Sequence, residues 1–221
     1  MSTYLVTGAN RGIGLEFCRQ LKSRGHNVIA VCRSASKELN DLGVSVETGI
    51  DITSEEQIID LITRVNGKII DVLINNAAIV ERISLEHLDI DSIRRQFEVN
   101  AIAPLQFTKA LLPNLKEGSK IIMMTSRMGS IDDNTSGGSY GYRMSKVALS
   151  MAGKSLSVDL KPQGIAVAIL HPGLVKTRMT NFTDAGISTE QSVKGLLARI
   201  DELNLENTGT FWHSNGEILP W

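Results

Sequence analysis

The 221 residues carry 23 Lys and Arg against 24 Asp and Glu, a formal charge of -1, with 42% hydrophobic residues and two cysteines, Cys18 and Cys32. That length can bury one sizeable core, which favours a single domain over residues 1–221, and the charge balance removes any overall drive toward nucleic acid or an anionic membrane. The lone cysteines and four scattered histidines support neither a disulfide framework nor a metal site, and no apolar run reaches membrane-spanning length; the expectation is a soluble cytoplasmic protein.

Along the chain, short apolar runs that suit buried strands recur at residues 4–7, 28–32, 44–48, 72–74, 120–125 and 165–170. Helix-length stretches separate them. Ile13, Phe17 and Leu21 mark one helical stripe, and Ile58, Ile59, Ile62 and Val65 mark another, introduced by the capping sequence Thr53-Ser54-Glu55-Glu56. This alternation predicts an α/β fold, a doubly wound parallel sheet with helices on both faces, because continuous apolar strands must be covered on two sides. No linker divides the chain, and the polar stretch at 132–139 reads as a mobile site loop.

The first strand runs directly into Thr7-Gly8-Ala9-Asn10-Arg11-Gly12-Ile13-Gly14. Glycines here permit a tight turn and let the backbone approach a pyrophosphate, whose charge a helix N-terminus favours. The GxxxGxG spacing is neither the commoner GxGxxG fingerprint nor a Walker loop. A structural turn would use the same residues, but the strand-turn-helix context favours a dinucleotide. After the second strand stand Cys32-Arg33-Ser34, where an NAD-selective site would place an acidic residue for the ribose hydroxyl. Arg33, joined by Arg11 from the glycine turn, suits the 2′-phosphate of NADP(H); two solvated surface arginines would read the same way.

Tyr142-Arg143-Met144-Ser145-Lys146 sets a phenol and an ammonium four residues apart, on one helix face. The lysine charge is expected to lower the tyrosine pKa toward neutrality, whereas Tyr140 has Met144 at that offset and no such partner. The pair alone is also common on amphipathic helices. Ser126 follows the apolar run 120–125 at the carboxyl edge of the sheet, placed to meet a substrate carbonyl or simply to turn the chain. Within the helix-length stretch 91–116, Pro104 lacks the N–H that would bond the Asn100 carbonyl. That carbonyl is left for solvent at a kink, or for a water that passes protons toward Lys146.

These features together resemble the short-chain dehydrogenase/reductase family over nearly the whole chain. The motifs are the turn at residues 7–14, Asp51 after the third strand, Asn75-Asn76-Ala77-Ala78 after the fourth, Asn100, Ser126, Tyr142 with Lys146, and Pro172-Gly173-Leu174-Val175-Lys176-Thr177 after the sixth. Arg33, the 132–139 stretch running into Gly141-Tyr142-Arg143, and the closing Asn215-Gly216-Glu217-Ile218-Leu219-Pro220-Trp221 are similar to the sniffer and C-factor group of NADPH-dependent carbonyl reductases. The resemblance implies a single Rossmann-type domain, with a cofactor and catalytic core at 1–177 and a short lid, helix and closing strand at 178–221. It implies that Gly8, Asn10, Arg11, Gly12, Ile13 and Gly14 cradle the cofactor, that Asp51 and Ile52 face its adenine, and that Asn75 and Ala77 hold its middle. Pro172, Gly173, Val175 and Thr177 would close over the nicotinamide end, the last two at the carboxamide. Lys146 would bond the nicotinamide ribose beside Tyr142, Ser126 would orient the substrate oxygen, and Asn100, Lys146 and Tyr142 would relay the proton.

Two departures stand out: Ala78 replaces the usual glycine, and Ser126 precedes Tyr142 by more than the common spacing. Ile79, Val80, Met128, Met179 and Phe182 suit the hydrophobic body of an aldehyde, ketone or quinone, and equally a core. Residues 179–190 read as a short lid over an open site. A rival reading is an NADP(H)-binding signalling or redox-sensing protein, against which the joint presence of Ser126, Tyr142 and Lys146 argues. Small residues at Ala148, Ser150, Ala152 and Gly153 allow close approach of another helix, and the resemblance implies a homodimer.

Overall fold

Apolar runs become seven strands in the computed structural model, which describes residues 1–221. They are β1 (Thr3–Thr7), β2 (Asn27–Val31), β3 (Ser45–Glu47), β4 (Val72–Asn75), β5 (Lys120–Met124), β6 (Ala166–His171) and β7 (Phe211–His213). All pair in parallel, in the order β3-β2-β1-β4-β5-β6-β7. The chain moves outward from β1 to β3 and then returns to pair β4 with β1. Between those two strands the winding reverses, and there an open α/β sheet leaves a crevice beyond its strand ends.

Seven α-helices cover the sheet: α1 (Gly12–Ser23), α2 (Lys37–Asp41), α3 (Glu55–Arg64), α4 (Ile90–Phe97), α5 (Ala103–Leu111), α6 (Tyr140–Asp159) and α7 (Thr189–Glu202). On one face, Phe17 and Leu21 of α1 and Leu196 and Leu197 of α7 pack on Val6, Ala30, Ile122 and Ala168. On the other, Leu61 of α3, Phe107 of α5 and Leu149 of α6 pack on Leu5, Leu73, Ile121 and Val167. Ile121, Ile122, Met123 and Met124 are therefore all buried, since each pleat of β5 finds a helical layer. Ser54 caps α3 by accepting from Gln57 N–H, and Asp89 caps α4 by accepting from Ser92 N–H.

Three expectations are altered. The predicted helix over 91–116 is α4, a π-helical turn at Glu98–Ile102, then α5. Pro104 stands at the start of α5, so the missing N–H is absorbed by a widened turn. The stretch at 132–139 is tied down: Asp132 N–H donates to the Trp221 main-chain oxygen at 3.0 Å, and the Arg143 guanidinium reaches Ser136 Oγ at 2.8 Å and the Gly137 and Gly138 carbonyls at 3.2 Å. Of the small residues on α6, Gly153 faces the chain's own sheet, where an added Cβ would lie 2.9 Å from Ile169, and the Ser150 hydroxyl bonds Thr125 at 3.0 Å. The outward face of α6 instead shows Met144, Met151 and Val158. No helix is long and apolar enough to cross a membrane.

Candidate active site

A cleft of about 1280 Å³ opens at the winding reversal, walled by the segments that follow β1, β2, β4 and β6 and by the first turns of α6. Two of those segments are stapled together. Thr7 Oγ1 accepts from the N–H groups of Asn76 and Ala77 at 3.0 and 3.1 Å, and the Asn76 amide donates back to the Thr7 carbonyl at 2.9 Å. Gly8 takes φ +66, and a Cβ on it would lie 2.9 Å from Ala77 Cα; on Gly14 a Cβ would lie 2.2 Å from the Gly8 carbonyl oxygen. These contacts require glycine and leave a shallow floor.

The N-terminus of α1 opens onto that floor. Arg11 at its N-cap makes no side-chain cap, and no acidic residue stands in the first turn, unlike α3 and α4. Its free N–H groups and dipole fit a phosphate anion. Gly8, Asn10, Arg11, Gly12, Ile13 and Gly14 all line this part of the cleft. Farther along, Arg33, Asp51 and Ile52 line the end beyond β2. Asp51 accepts from Thr53 N–H at 3.0 Å and Thr53 Oγ1 at 2.8 Å, and Arg33 leans on it at 3.6 Å. Burial raises the Asp51 pKa, but the Thr53 bonds and the Arg33 guanidinium outweigh it and hold the carboxyl below its usual range. Arg11 pairs with no carboxylate, so two exposed guanidiniums are available at this end for a dianionic phosphate.

Opposite lies the other end, where Ala77, Tyr142, Lys146, Pro172 and Thr177 line the cleft. Ser126 caps the short turn Arg127–Gly129, accepting from Met128 N–H at 3.1 Å. Gly129 lets that turn sit on α6, since a Cβ there would lie 2.9 Å from the Lys146 backbone. The Ser126 hydroxyl is close enough to the Tyr142 phenol to lower its pKa, and Ser126 itself is buried and does not line the cleft. Lys146, 2% exposed, lies with Nζ 5.7 Å from the Tyr142 ring centre and donates to the Met124 carbonyl at 2.9 Å.

The expected direction of the tyrosine pKa is reversed by this burial. Desolvation pushes Tyr142 up to about 12, opposed only by the Ser126 hydrogen bond, and pushes Lys146 down to about 7. Loss of solvation exceeds the attraction of a lysine that is itself losing its charge. The pair is therefore a protonated phenol beside an amine that titrates near neutrality.

Asn100, fully buried in the π turn, accepts from Ile79 N–H at 2.8 Å and donates to the Ile79 carbonyl at 2.9 Å and to Ser145 Oγ at 3.0 Å. It joins the loop after β4 to α6 from behind the cleft wall. Like Asn100 and Ser126, three further residues do not line the cleft. The Asn75 side chain turns into the core and bonds Thr108 Oγ1 at 2.9 Å, because Asn76 rather than Asn75 takes the cleft-facing position at the strand end. Val175 is buried in a bridge to Ile187, and Gly173 backs onto Ile187 and His213. Of the apolar candidates, Ile79, Val80, Met179 and Phe182 line the cleft, and Met128 does not. Sequence reasoning passed over Asn76, legible as the second asparagine of its motif, and over Arg82 and Arg178, which no spacing marks.

Residues 2–187 match the family model described as short chain dehydrogenase. The chain belongs to the short-chain dehydrogenase family. Across their full lengths it is 42% identical to 1-hydroxy-2-glutathionyl-2-methyl-3-butene dehydrogenase of Rhodococcus sp. (strain AD45). It is 45% identical to C-signal of Myxococcus xanthus over 69% of this chain and 93% of that one. Among solved structures, the carbonyl reductase Sniffer of D. melanogaster superposes with a TM-score of 0.91 at 31% identity over the whole of both chains. The NADPH-bound carbonyl reductase from chicken fatty liver gives 0.90 at 28% identity, covering 100% of this chain and 99% of that one. Within the family, the chain resembles the sniffer and C-factor group.

Proposed function

We propose that this short-chain dehydrogenase is an NADPH-dependent carbonyl reductase that converts an aldehyde, ketone or quinone to an alcohol. The observation that carries the reading is a single cleft with two exposed guanidiniums at one end, Arg11 without a carboxylate and Arg33 against Asp51, and at the other a buried tyrosine beside lysine with Ser126 behind it. The glycine floor and the open α1 terminus fit a pyrophosphate, and Arg11 and Arg33 fit the 2′-phosphate. When bound, NADPH supplies the hydride that adds to the carbonyl carbon. Tyr142, protonated at neutral pH, gives its phenolic proton to the carbonyl oxygen, and Lys146 beside it stabilises the phenolate left behind. Ser126 donates a hydrogen bond to the same oxygen as charge develops there. Lys146, titrating near neutrality, restores the tyrosine proton, and a water at the main chain of the Asn100 turn resupplies Lys146.

Tyr142→Phe is expected to leave NADPH affinity within about twofold and to lower kcat by at least about a hundredfold, since a proton donor contributes on that order. NADPH oxidation over a panel of aldehydes, ketones and quinones, beside a fluorescence titration, checks both. Turnover that survives the substitution rejects the assignment. Arg33→Ala should weaken NADPH by about tenfold or more and leave NADH nearly unchanged, as expected for a lost charge-assisted contact.

Likeness to C-signal favours one second reading, a signalling protein governed by its dinucleotide. Tight NADPH binding, no turnover across the panel and indifference to Tyr142→Phe would support it. The relative named for dehydrogenation of a glutathionyl alcohol widens the substrate range to include conjugates, since the same groups serve either direction. We place the protein in the cytoplasm, where its two free, buried cysteines suit a reducing environment, and assign it a homodimer through the outward face of α6.

A further inference from the structure

Two arginines at the reacting end remain unassigned, and their surroundings are built. Arg82 and Arg178 both line the cleft, are exposed, and pair with no carboxylate. Arg82 lies on the segment after β4 and Arg178 on the turn after β6, whereas Arg33 follows β2. In the sheet order β2 and β4 are separated by β1, so about 10 Å divides the two regions at ordinary strand spacing. Glu81, next to Arg82, is held by Gln96, whose amide lies against Gly141 in the first turn of α6, so the Arg82 backbone stands on the Tyr142 side of the cleft.

The backbone beneath each arginine is fixed. Fully buried Gln96 accepts from Glu81 N–H at 3.0 Å and donates to the Glu81 carbonyl at 3.1 Å, repeating one turn away the grip of Asn100 on Ile79. The adjacent acid is removed from competition, since Glu81 pairs with Arg95 at 2.7 Å. On the facing segment, Thr177 and Thr180 form a capping box around Arg178–Thr180, and Phe182 N–H donates to the Thr177 carbonyl at 2.9 Å. There too the nearby acid is committed, Asp184 to Lys176 at 3.1 Å. Asn181 and Phe182 adopt φ +50 and +53, a left-handed backbone that side chains resist. Such strain persists where the surroundings enforce it, and here it presents Phe182, 66% exposed, at the cleft.

We propose that Arg82 and Arg178 form a carboxylate-binding subsite, so that the preferred substrate is a carbonyl compound with an apolar body, covered by Ile79, Val80 and Phe182, and an anionic carboxylate arm. This rests on the reductase reading for the reaction but not for the binding. Protein saturated with NADP+ is titrated by calorimetry with 4-carboxybenzyl alcohol and with 4-methylbenzyl alcohol, and the two parent aldehydes are compared in turnover. The carboxylate ligand should bind about tenfold tighter or more, the preference should weaken with added salt, and Arg82→Gln and Arg178→Gln should each reduce it toward unity. NADPH affinity should be unchanged in both variants, and Arg82→Lys should restore part of the preference.

Equal binding of the two alcohols, or a preference that survives both substitutions, overturns the subsite. So does a loss of NADPH affinity in both variants, which would give the arginines to the cofactor. If neither aldehyde is reduced while the arginine-dependent preference persists, the reductase reading falls and the subsite stands. If both aldehydes are reduced and the alcohols bind alike, the subsite falls and the reductase reading stands.

Discussion

His171, the last residue of β6, has its Nδ1 buried without a protein hydrogen-bond partner, and its ring meets His213 edge-on at 4.8 Å. Burial first, then the His213 ring and the Arg127 guanidinium, push its pKa down to about 3. A histidine in the unfolded chain binds a proton near 6.5. Between those values the unfolded state carries the proton and the folded state does not, so stability is whole above about 6.5 and is lost as pH falls toward 3. Stability by urea unfolding should therefore drop by up to about 3 kcal/mol between about pH 7 and about pH 4, and by clearly less in His171→Phe. Parallel pH curves for the two proteins would clear His171 of that role. The same desolvation sets Tyr142 and Lys146. Their i,i+4 spacing was legible, but the direction of the tyrosine shift was not, because spacing records proximity and says nothing of how much water each group loses.

Within single elements, the glycine turn is the part most fully written in sequence. Gly8 and Gly14 could be placed by their position after β1, yet the reason they cannot change lies in Ala77, Asn76 and each other. Gly14→Ala would set a Cβ 2.2 Å from a backbone oxygen that cannot rotate away. It is expected to cost about 1–3 kcal/mol of stability, as overpacking does, and to weaken NADPH by about tenfold or more through the opened turn. Thermal unfolding and a fluorescence titration measure the two, and a variant that keeps both would show the floor to be pliable. The π turn at Glu98–Ile102 was less accessible. Pro104 announces a missing N–H, but whether a helix kinks, ends or widens depends on what grips it, and here Asn100 is gripped by Ile79 and Ser145. The N-terminal Ser54 and Asp89 that cap α3 and α4 act within one turn and need no such context.

At the scale of the whole molecule, α6 joins the reacting end of the cleft to the outer surface. Its inner face seats Tyr142, Lys146 and Gly153, while Met144, Met151 and Val158 recur at intervals of seven outside, flanked by exposed Ile102 and Leu105. Met151→Glu should convert the proposed homodimer to a monomer by light scattering without lowering NADPH affinity. A monomeric parent, or an unchanged mass in the variant, rejects that interface. Of the small residues that suggested close approach, Gly153 and Ser150 serve the chain's own packing, because a glycine spacing cannot state which neighbour fills it. By itself the sequence determined the alternating α/β order, the glycine turn, the phenol-amine pair and the near-neutral charge, all of which depend on local chemistry and periodicity. Only the tertiary structure decided that Asn76 rather than Asn75 faces the cleft, that burial raises rather than lowers the Tyr142 pKa, and that Arg82 and Arg178 line the same cleft without a carboxylate partner. Those outcomes turn on which distant segments meet, and on the solvent they exclude when they do.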